Sequence, residues 1–582
     1  MTESSSPSSG ILIPPFDRKF FSGEETLTAI GEGELGGKAH GLAQIKDFIF
    51  EHFSRKPFPD IVVDVPRLTV ITTRYFDLFM EQNRLYDLAL TDLPDERMAH
   101  HFLKAALPPD LLGDLRALTE NLHVPLAVRS SSLLEDSLDC PFAGVYETKM
   151  VPNNQSSSDE RFRKLTEAVK FVYASTFFNQ AKDYMRATGN APESEKMAVI
   201  IQEVVGLRHG DRFYPNLAGV GRSYNFYPFG HAEPEDGVAN LALGLGKSIV
   251  DGSLVWTYSP AYPNTGPPFN SINDMLKNTQ TTFWAVNMGK PKTYNPLHET
   301  EYLIQSDLSE AEYDNTLKYV ASTLDPKSGR ISIGTGMKGP RIINFSPLLQ
   351  AELIPFNDLL RSVLEVCESS TGAKVEIEFA MTFDRDRKGA GRFGLLQVRP
   401  MGVSDEIVEL VDEEFSGDRV LLASAAAMGN GVERSLQTIV YVKPDGFDFK
   451  YTVRVARELE QVNRDLILKG VSYLLIGFGR WGSSDSWLGI PVNWGQISGS
   501  RVIVEATFAE RPVDLSQGSH FFHNISNLQV KYLSVPAGSG IDWDWLKSQP
   551  AEYDGEFVRC VTLSEPLVVK VDGRSRKGVV RR

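Results

Sequence analysis

The 582-residue sequence has few cysteines, no long apolar run and no surplus of positive charge. Its three cysteines, Cys140, Cys367 and Cys560, are too few for a disulfide framework, and none forms a CxxC pair. This favours a reducing compartment, the cytoplasm. The longest apolar stretches, such as residues 420–428, fall well short of the roughly 18–20 residues that a membrane-spanning helix needs, so no membrane partner is expected.

The charge balance is acidic, with 60 Lys and Arg residues against 75 Asp and Glu residues and a formal net charge of −15. Binding to a phosphate backbone needs a surplus of Lys and Arg, so this balance argues against nucleic acid as the main partner. The first ten residues lack the basic and apolar regions of a secretion signal. We expect residues 1–30 to form a disordered or extended tail.

The chain as a whole has the composition of a globular protein, with 42% hydrophobic and 23% charged residues. From about residue 31 to 401, short β-rich runs alternate with segments in which apolar residues recur at helical spacing, which predicts an α+β fold. An acidic stretch at 405–418 separates this part from a second pattern of strands and helices. We therefore predict a smaller α/β domain of unknown role at 405–582.

A glycine-rich segment, GELGGKAHGLA at residues 33–43, precedes a predicted helix. Two adjacent glycines let the backbone approach a ligand closely, and the free N–H groups at the start of the helix favour an anion. Lys38 adds a flexible positive charge suited to polyphosphate. An ordinary loop-to-helix turn is the alternative, because the segment does not fit the GxxxxGK[ST] phosphate loop.

A predicted strand at residues 125–128 leads into Arg129, which is followed by three serines at 130–132. At the end of a strand, an arginine fork can bind phosphate oxygens in bidentate fashion. Gly144, farther along the chain, permits a tight covering loop. A plain polar turn is the alternative interpretation.

Two predicted strands near residue 400 carry the most informative pattern. In VEIEFAM (375–381) apolar residues alternate with Glu376 and Glu378, so the two carboxylates share one face. In FGLLQVR (393–399), Gln397 and Arg399 share one face. If the strands pair as a hairpin, a carboxylate, an amide oxygen and a guanidinium converge, which suits Mg²⁺ and the phosphates it bridges. A solvent-facing hairpin with alternating polar residues is the alternative.

Three other segments give weaker signals. The apolar strand MAVIIQEVVG (197–206) could offer Gln202 and backbone groups to an adenine ring, or could be a plain core strand. The turn GRWGSSD (479–485) suits either a small anion pocket or a tight turn without function. His520 and His523 form a candidate metal pair, although a packed structural role explains both.

Seven segments, in this order, resemble the ATP-binding domain of phosphoenolpyruvate synthase and pyruvate phosphate dikinase, an ATP-grasp relative. They are GGKAHGLA, VPRLTVITTRYF, PLAVRSSSLLEDSLDCPFAGVYET, MAVIIQEVVG, ALGLGKSIVDG, VEIEFA and LLQVRPM. The resemblance covers roughly residues 30–402. It implies an ATP-grasp-like, two-lobed nucleotide-binding region, with an N-terminal lobe at 31–205 and, at 206–404, a C-terminal lobe that contains the metal and phosphate hairpin.

The resemblance also implies ATP and Mg²⁺ as cofactors and a role for individual residues. By that resemblance, Lys38 and Arg129 hold the triphosphate, Gly144 lies on the closing loop, Gln202, Glu203 and Val204 line the adenine pocket, Glu378 and Gln397 ligate Mg²⁺, and Arg399 binds phosphates. Arg129, Arg399 and His520 form the predicted catalytic set. His520 is a candidate phosphoryl acceptor because its Ser-His step faintly resembles the family's phosphohistidine context, although the flanking residues differ. Lys247, in the GLGK stretch, stands where the family more usually has an acidic residue.

The sequence continues for about 180 residues after the ATP-binding part, too few for the family's swivelling phosphohistidine domain and its (β/α)₈ barrel. Conversion of pyruvate to phosphoenolpyruvate by this chain alone is therefore not expected. We predict a Mg-ATP-dependent phosphotransferase of the kinase or dikinase type, acting on an unknown small-molecule or protein acceptor. The alternative is a non-catalytic ATP sensor whose lobe closure regulates a partner through the C-terminal domain. A homo-oligomer is compatible with either.

Overall fold

The structure is a computed structural model that describes residues 13–582 except 56–57, 59, 136–143, 188–189, 227, 229, 252, 267–271, 278, 292–293, 384–389, 404–407, 484–486, 488, 508–529 and 537–539. His520 and His523 lie outside the described residues, so the phosphoryl-acceptor and metal-pair hypotheses for them stay predictions.

The helices form where apolar residues recur at a spacing of three to four. In the first of them, Leu42, Ile45 and Ile49 lie on one buried face. None of the described helices combines the length and the apolar character that crossing a bilayer requires. The helices are α1 Gly37–Arg55, α2 Thr73–Gln82, α3 Tyr86–Ala89, α4 Asp95–Lys104, α5 Pro109–Asn121, α6 Ser158–Ser175, α7 Asn179–Ala187, α8 Lys247–Val250, α9 Ile272–Lys277, α10 Leu308–Tyr313, α11 Ser346–Leu349, α12 Phe356–Thr371, α13 Thr452–Leu468 and α14 Trp543–Ser548.

A five-stranded sheet in the first third of the chain has the strand order β1-β3-β6-β4-β5. Its strands are β1 Leu27–Ile30, β3 Leu68–Ile71, β4 Leu126–Ser132, β5 Thr148–Val151 and β6 Met197–Glu203. Strand β4 lies between β5 and β6 and pairs antiparallel with both. Strand β4 therefore continues through Arg129 and the three serines that follow it, beyond the predicted strand end, and the alternative of a plain polar turn is wrong.

A six-stranded sheet has the order β11-β10-β9-β17-β18-β2. Its strands are β2 Ile61–Asp64, β9 Leu217–Arg222, β10 Val238–Ala242, β11 Trp256–Tyr258, β17 Val375–Phe383 and β18 Gly391–Pro400. Strands β17 and β18 pair antiparallel, as the hairpin interpretation requires. Strand β2, from the predicted N-terminal lobe, pairs in parallel with β18, so this sheet crosses the predicted boundary at residue 205.

Two smaller sheets complete this part of the chain. One has the order β13-β12-β8-β7 and the other the order β15-β14-β16. Their strands are β7 Leu207–His209, β8 Arg212–Tyr214, β12 Thr282–Asn287, β13 Leu303–Asp307, β14 Ala321–Leu324, β15 Ile331–Ile333 and β16 Arg341–Ile343.

The C-terminal region contains a seven-stranded sheet of order β20-β27-β26-β23-β22-β29-β28, a four-stranded sheet of order β19-β31-β30-β21 and a two-stranded β24-β25 pair. Its strands are β19 Val420–Ser424, β20 Ala426–Met428, β21 Gly431–Glu433, β22 Thr438–Val442, β23 Tyr473–Phe478, β24 Arg480–Trp481, β25 Gly489–Ile490, β26 Ser500–Ala506, β27 Lys531–Val535, β28 Ala551–Asp554, β29 Val558–Thr562, β30 Val568–Asp572 and β31 Lys577–Arg581. Strands β22, β23, β26 and β27 are parallel neighbours, with α13 between β22 and β23 in the chain. This is an α/β arrangement.

One hydrophobic core is shared by the first third of the chain and the C-terminal region. The same cluster of buried side chains includes Tyr173 and Tyr184 from helices α6 and α7 and Val462, Trp481 and Trp494 from the C-terminal region. The mixture of helices and sheets confirms the α+β prediction. The ATP-grasp assignment and the domain boundaries stay predictions.

Candidate functional site

A cavity of about 440 Å³ is lined by residues of the five-stranded sheet and of the six-stranded sheet. Strands β4 and β6 of the five-stranded sheet contribute Arg129 and Gln202, and the β17–β18 hairpin of the six-stranded sheet contributes Glu378 and Gln397. Lys38, from the start of α1, also lines it. Residues predicted from separate stretches of the sequence therefore meet at one concave surface.

The hairpin has the register that brings its polar residues together. Glu376 lies opposite Arg399 and Glu378 opposite Gln397, with an irregularity in the pairing just after Glu378. Glu376, Gln397 and Arg399 are each 1% exposed. The solvent-facing alternative is therefore wrong, because this polar face is buried within the molecule.

Arg129 joins the two sheets. Its Nη2 donates to Glu378 Oε2 at 3.1 Å and to Gln397 Oε1 at 2.8 Å, while Nη1 donates to the Leu396 carbonyl at 2.8 Å and to Gln202 Oε1 at 3.2 Å. The Glu378 carboxylate and the Gln397 amide oxygen, the two predicted metal ligands, thus both accept hydrogen bonds from Nη2 of Arg129. Both residues line the cavity, and their oxygens are of the type that binds a hard cation.

Arg399 is held differently from the other predicted phosphate-binding residues. Its guanidinium donates to Glu376, which also pairs with Arg222 of β9 at 2.5 Å, and it lies 4.0 Å from Glu378 Oε1. A buried carboxylate flanked by two guanidinium groups is a stable arrangement only if both partners remain. The geometry favours a role for Arg399 in positioning the hairpin face, and phosphate binding by it stays a prediction.

Lys38 is buried beside the serines of β4. Its Nζ donates to Glu135 Oε1 at 2.6 Å and to Ser130 Oγ at 3.2 Å. The start of α1 is fixed to the same strand, since the Ala39 N–H donates to Ser131 Oγ at 3.0 Å and that hydroxyl donates to the Leu35 carbonyl at 2.8 Å. The glycine-rich segment is therefore packed against β4 and presents its lysine to the cavity.

The predicted adenine-binding residues border an apolar part of the cavity. Val204 belongs to a small buried cluster with Ala127 and Leu245, and all three line the cavity. Gln202 is 1% exposed, and within the described residues its amide nitrogen Nε2 has no hydrogen-bond partner. A buried donor that lines a cavity and is left without a protein acceptor suits a bound polar ligand.

Glu203 also lines the cavity, but its carboxylate is occupied by ion pairs. Arg67 Nε and Arg392 Nη1 each donate to it at 3.0 Å. Burial opposes its ionisation, yet the two guanidinium groups outweigh this and hold the pKa of Glu203 below its ordinary value. Its side chain is therefore engaged in these two ion pairs. A contact between Glu203 and an adenine ring would have to come from its main chain.

Gly144 lines the cavity in a left-handed conformation, with φ +67°, and its carbonyl accepts a 3.4 Å hydrogen bond from Gln180 of α7.

Sequence reasoning missed Gln180 and also Glu147, which follows the glycine by three residues and lines the cavity as well. Burial, reinforced by the charge of Glu299, raises the pKa of Glu147 to about 7.

Lys247 lies among carboxylates at the same cavity. Its Nζ is 2.8 Å from Glu299 and 3.3 Å from Asp251. Burial disfavours its charge, but the two carboxylates more than compensate and raise the pKa of Lys247, so it stays protonated. The departure noted in the sequence thus adds a cation to the cavity wall.

Glu195 is a buried carboxyl group near Glu135, the residue that forms an ion pair with Lys38. Burial, reinforced by the neighbouring Glu135, raises the pKa of Glu195 from its ordinary 4.5 to about 7. Between these two values the unfolded chain has lost the proton that the native protein keeps. The contribution of Glu195 to stability therefore falls as pH rises from about 4.5 to about 7.

We expect Glu195→Gln to stabilise the protein more at pH 8 than at pH 5, because glutamine cannot acquire the buried charge. The difference should be on the order of 1–3 kcal/mol in the free energy of unfolding, measured in urea at both pH values. Glu193→Gln, an exposed change two residues away, is the control and should give the same small difference at both. Equal effects of the two substitutions at pH 8 would contradict the assignment.

The donors present fit a magnesium ion held jointly with a ligand. Among the described residues no group of three or more His, Cys, Asp or Glu side chains could enclose a metal. Mg²⁺ is commonly bound by one or two protein oxygens together with substrate phosphates, rather than by a cage made of protein alone. The oxygens of Glu378 and Gln397 fit that pattern.

The sequence matches the model of the pyruvate phosphate dikinase, AMP/ATP-binding domain family over residues 32–416. The chain belongs to this family. The match contains Lys38, Arg129, Gln202, Glu378 and Gln397, whose side chains meet at the cavity. It leaves out most of the C-terminal region.

Three curated relatives are similar over parts of the chain. They are an uncharacterized phosphotransferase, YvkC, of Bacillus subtilis (26% identity over 33% of this chain and 20% of the relative), the prodigiosin synthesizing transferase PigC of Serratia marcescens (30%, 40% and 22%) and a rifampicin phosphotransferase of Streptomyces sviceus (26%, 33% and 22%). The aligned part spans about a fifth of each relative's length.

Proposed function

We propose that the protein is a Mg-ATP-dependent phosphotransferase whose nucleotide occupies the cavity that the five-stranded and six-stranded sheets line. The observation that supports this best is the cluster around Arg129, whose Nη2 lies 3.1 Å from Glu378 and 2.8 Å from Gln397. A carboxylate, an amide oxygen and a guanidinium at one cavity wall suit a nucleotide phosphate with its metal. Family membership supports the same ligand.

In this proposal the residues act by positioning and charge neutralisation. Lys38, Arg129 and Lys247 supply cations for the phosphates, and Gln202 supplies a buried hydrogen-bond donor at the border of the apolar part. Glu378 and Gln397 would hold Mg²⁺, and the ion would supply positive charge that neutralises the phosphates. Phosphoryl transfer needs mainly such positioning and electrostatic stabilisation, so a protein nucleophile is not required.

The acceptor that we propose is a small organic molecule. One relative is named for phosphotransfer to rifampicin and another as a transferase in prodigiosin synthesis, and both names refer to small molecules. The sequence prediction left small-molecule and protein acceptors open. His520 as an intermediate carrier stays a prediction, since it lies outside the described residues.

The test is turnover of ATP labelled first at the γ and then at the β position, in the presence of Mg²⁺ and candidate acceptors. Release of ADP would indicate simple kinase chemistry, and release of AMP and phosphate would indicate dikinase chemistry. Tight binding of Mg-ATP without turnover would support the sensor alternative instead. Absence of binding at millimolar Mg-ATP would contradict both functions.

A further inference from the structure

Part of the cavity wall comes from the C-terminal region. Gly482, Val492, Asn493 and Trp494 line the same cavity as Arg129. All four lie beyond the family match, which ends at residue 416. A surface outside the matched nucleotide-binding domain therefore contributes to the site.

Hydrogen bonds hold the segment 492–496, which carries three of these four residues. Asn493 caps the short 3₁₀ turn Trp494–Gln496, because its Oδ1 accepts from the Gln496 N–H at 3.2 Å and its own N–H donates to Gln496 Oε1 at 3.0 Å. The turn is bound to α13, where Asn463 Nδ2 donates to the Gly495 carbonyl at 2.9 Å. Such a reciprocal cap fixes the entry of the chain into the turn.

The turn packs against α7, close to Gly144. A Cβ placed on Gly495 would lie 3.7 Å from both the Gln180 carbonyl oxygen and the Asp183 Cβ. Gln180 in turn donates to the Gly144 carbonyl at 3.4 Å. The C-terminal wall is thus one residue layer away from Gly144, which the family resemblance implies is on the loop that closes over the phosphates.

The residues beside this wall are packed in the hydrophobic core. Trp494 is 4% exposed and belongs to the hydrophobic cluster that also contains Tyr184 of α7. Trp481, next to Gly482, is buried in the same cluster and donates from Nε1 to the Val504 carbonyl at 3.1 Å. A core shared in this way keeps the two parts of the chain in one fixed arrangement.

Asn493 has one polar group that the cap leaves over. The capping contacts use its Oδ1 and its main-chain N–H, and among the described residues no protein acceptor receives a bond from its Nδ2. An amide donor at a cavity wall suits a phosphate oxygen or the hydroxyl of an acceptor.

We propose that the segment Val492–Trp494 forms the wall of the nucleotide site at its phosphate end and that Asn493 donates a hydrogen bond to a bound phosphate. The inference rests on the proposed function, because it assumes that nucleotide phosphates occupy this cavity. It makes the C-terminal region part of the binding site and not only an appended domain.

Two substitutions at Asn493 separate ligand contact from folding. Asp and Ser both cap helical turns about as well as Asn, so Asn493→Asp and Asn493→Ser should keep the turn. Asn493→Asp places a negative charge at the wall, and Asn493→Ser replaces the amide donor with a hydroxyl that reaches less far into the cavity. Ser157→Asp, at the exposed cap of α6, adds the same charge away from the cavity and is the matched control.

The measurement is the dissociation constant for Mg-ATP, Mg-ADP, AMP and adenosine by calorimetry, on variants whose melting temperature and circular dichroism match the wild type. Asn493→Asp should weaken Mg-ATP at least about tenfold, with a loss that shrinks as phosphates are removed. Asn493→Ser should lose roughly two- to tenfold for each phosphate-bearing ligand. Ser157→Asp should bind as the wild type does.

Three results would overturn the inference. Asn493→Asp could bind all four ligands as Ser157→Asp does, which would remove the wall from the site. Equal losses for ATP and adenosine would place it at the base or sugar instead. If the wild type fails to bind Mg-ATP, the proposed function fails first and the inference fails with it, so the wild-type measurement distinguishes the two failures.

Discussion

Glu378→Gln should lower Mg-ATP turnover by roughly a hundredfold or more while the fold is kept. The substitution preserves the shape of the side chain and leaves an oxygen to accept from Arg129. It removes the negative charge that a magnesium ion needs from this position. Mg²⁺ should therefore tighten ATP binding in the wild type and should do so much less in the variant, as measured by calorimetry with and without the metal.

The control is Glu365→Gln, the same chemical change at an exposed position of α12. It should leave turnover and the effect of Mg²⁺ unchanged. Unchanged turnover in Glu378→Gln would contradict the metal assignment. Arg399→Ala is a less clean test, because it removes one of the two guanidinium groups that hold the buried Glu376 and therefore affects folding together with activity.

Gly36→Ala should destabilise the protein severely and abolish ATP binding in whatever fraction still folds. Gly36 has φ +73°, and an added Cβ would lie 1.7 Å from the Ser131 carbonyl oxygen. That oxygen belongs to β4, where Ser131 pairs with Ala198 of β6, so it cannot move away without disturbing that ladder. The clash comes in addition to the conformational cost of about 1–2 kcal/mol for a side chain in the left-handed region.

Gly372→Ala separates the two costs. Gly372, at the end of α12, has a similar φ of +68°, but an added Cβ would meet no heavy atom within 4 Å. It should therefore lower stability only by the conformational cost of about 1–2 kcal/mol and leave ATP binding intact. If thermal melts and binding were the same for both variants, the close packing of the glycine-rich segment on β4 would be refuted.

The hairpin shows how far a local pattern reaches. Alternation in residues 375–381 and 393–399 predicted which side chains share a face, and the pairing of Glu376 with Arg399 and of Glu378 with Gln397 confirms it. Alternation alone could not distinguish a buried polar face from a solvent-facing one. That distinction depends on Arg129 and Arg222, which reach the hairpin from strands that are distant in sequence.

The C-terminal wall had no comparable signal. The turn GRWGSSD combines glycine and serine with an arginine, an aspartate and an aromatic residue, which suits an anion pocket or a plain turn equally, and Gly482 lines the cavity. Asn493 and Trp494 belong to an unremarkable polar turn, and only tertiary packing against α7 brings them to the site. The pairing of β2 with β18 is nonlocal in the same way, because a short apolar strand does not specify its partner.

The most direct test of the central claim is a crystal structure of the protein with Mg²⁺ and a non-hydrolysable ATP analogue. The account predicts the base beside Val204, the phosphates among Lys38 and Arg129, and a metal bound by Glu378 and Gln397. Density for the nucleotide at another surface, or for a metal whose ligands include neither of these residues, would contradict it.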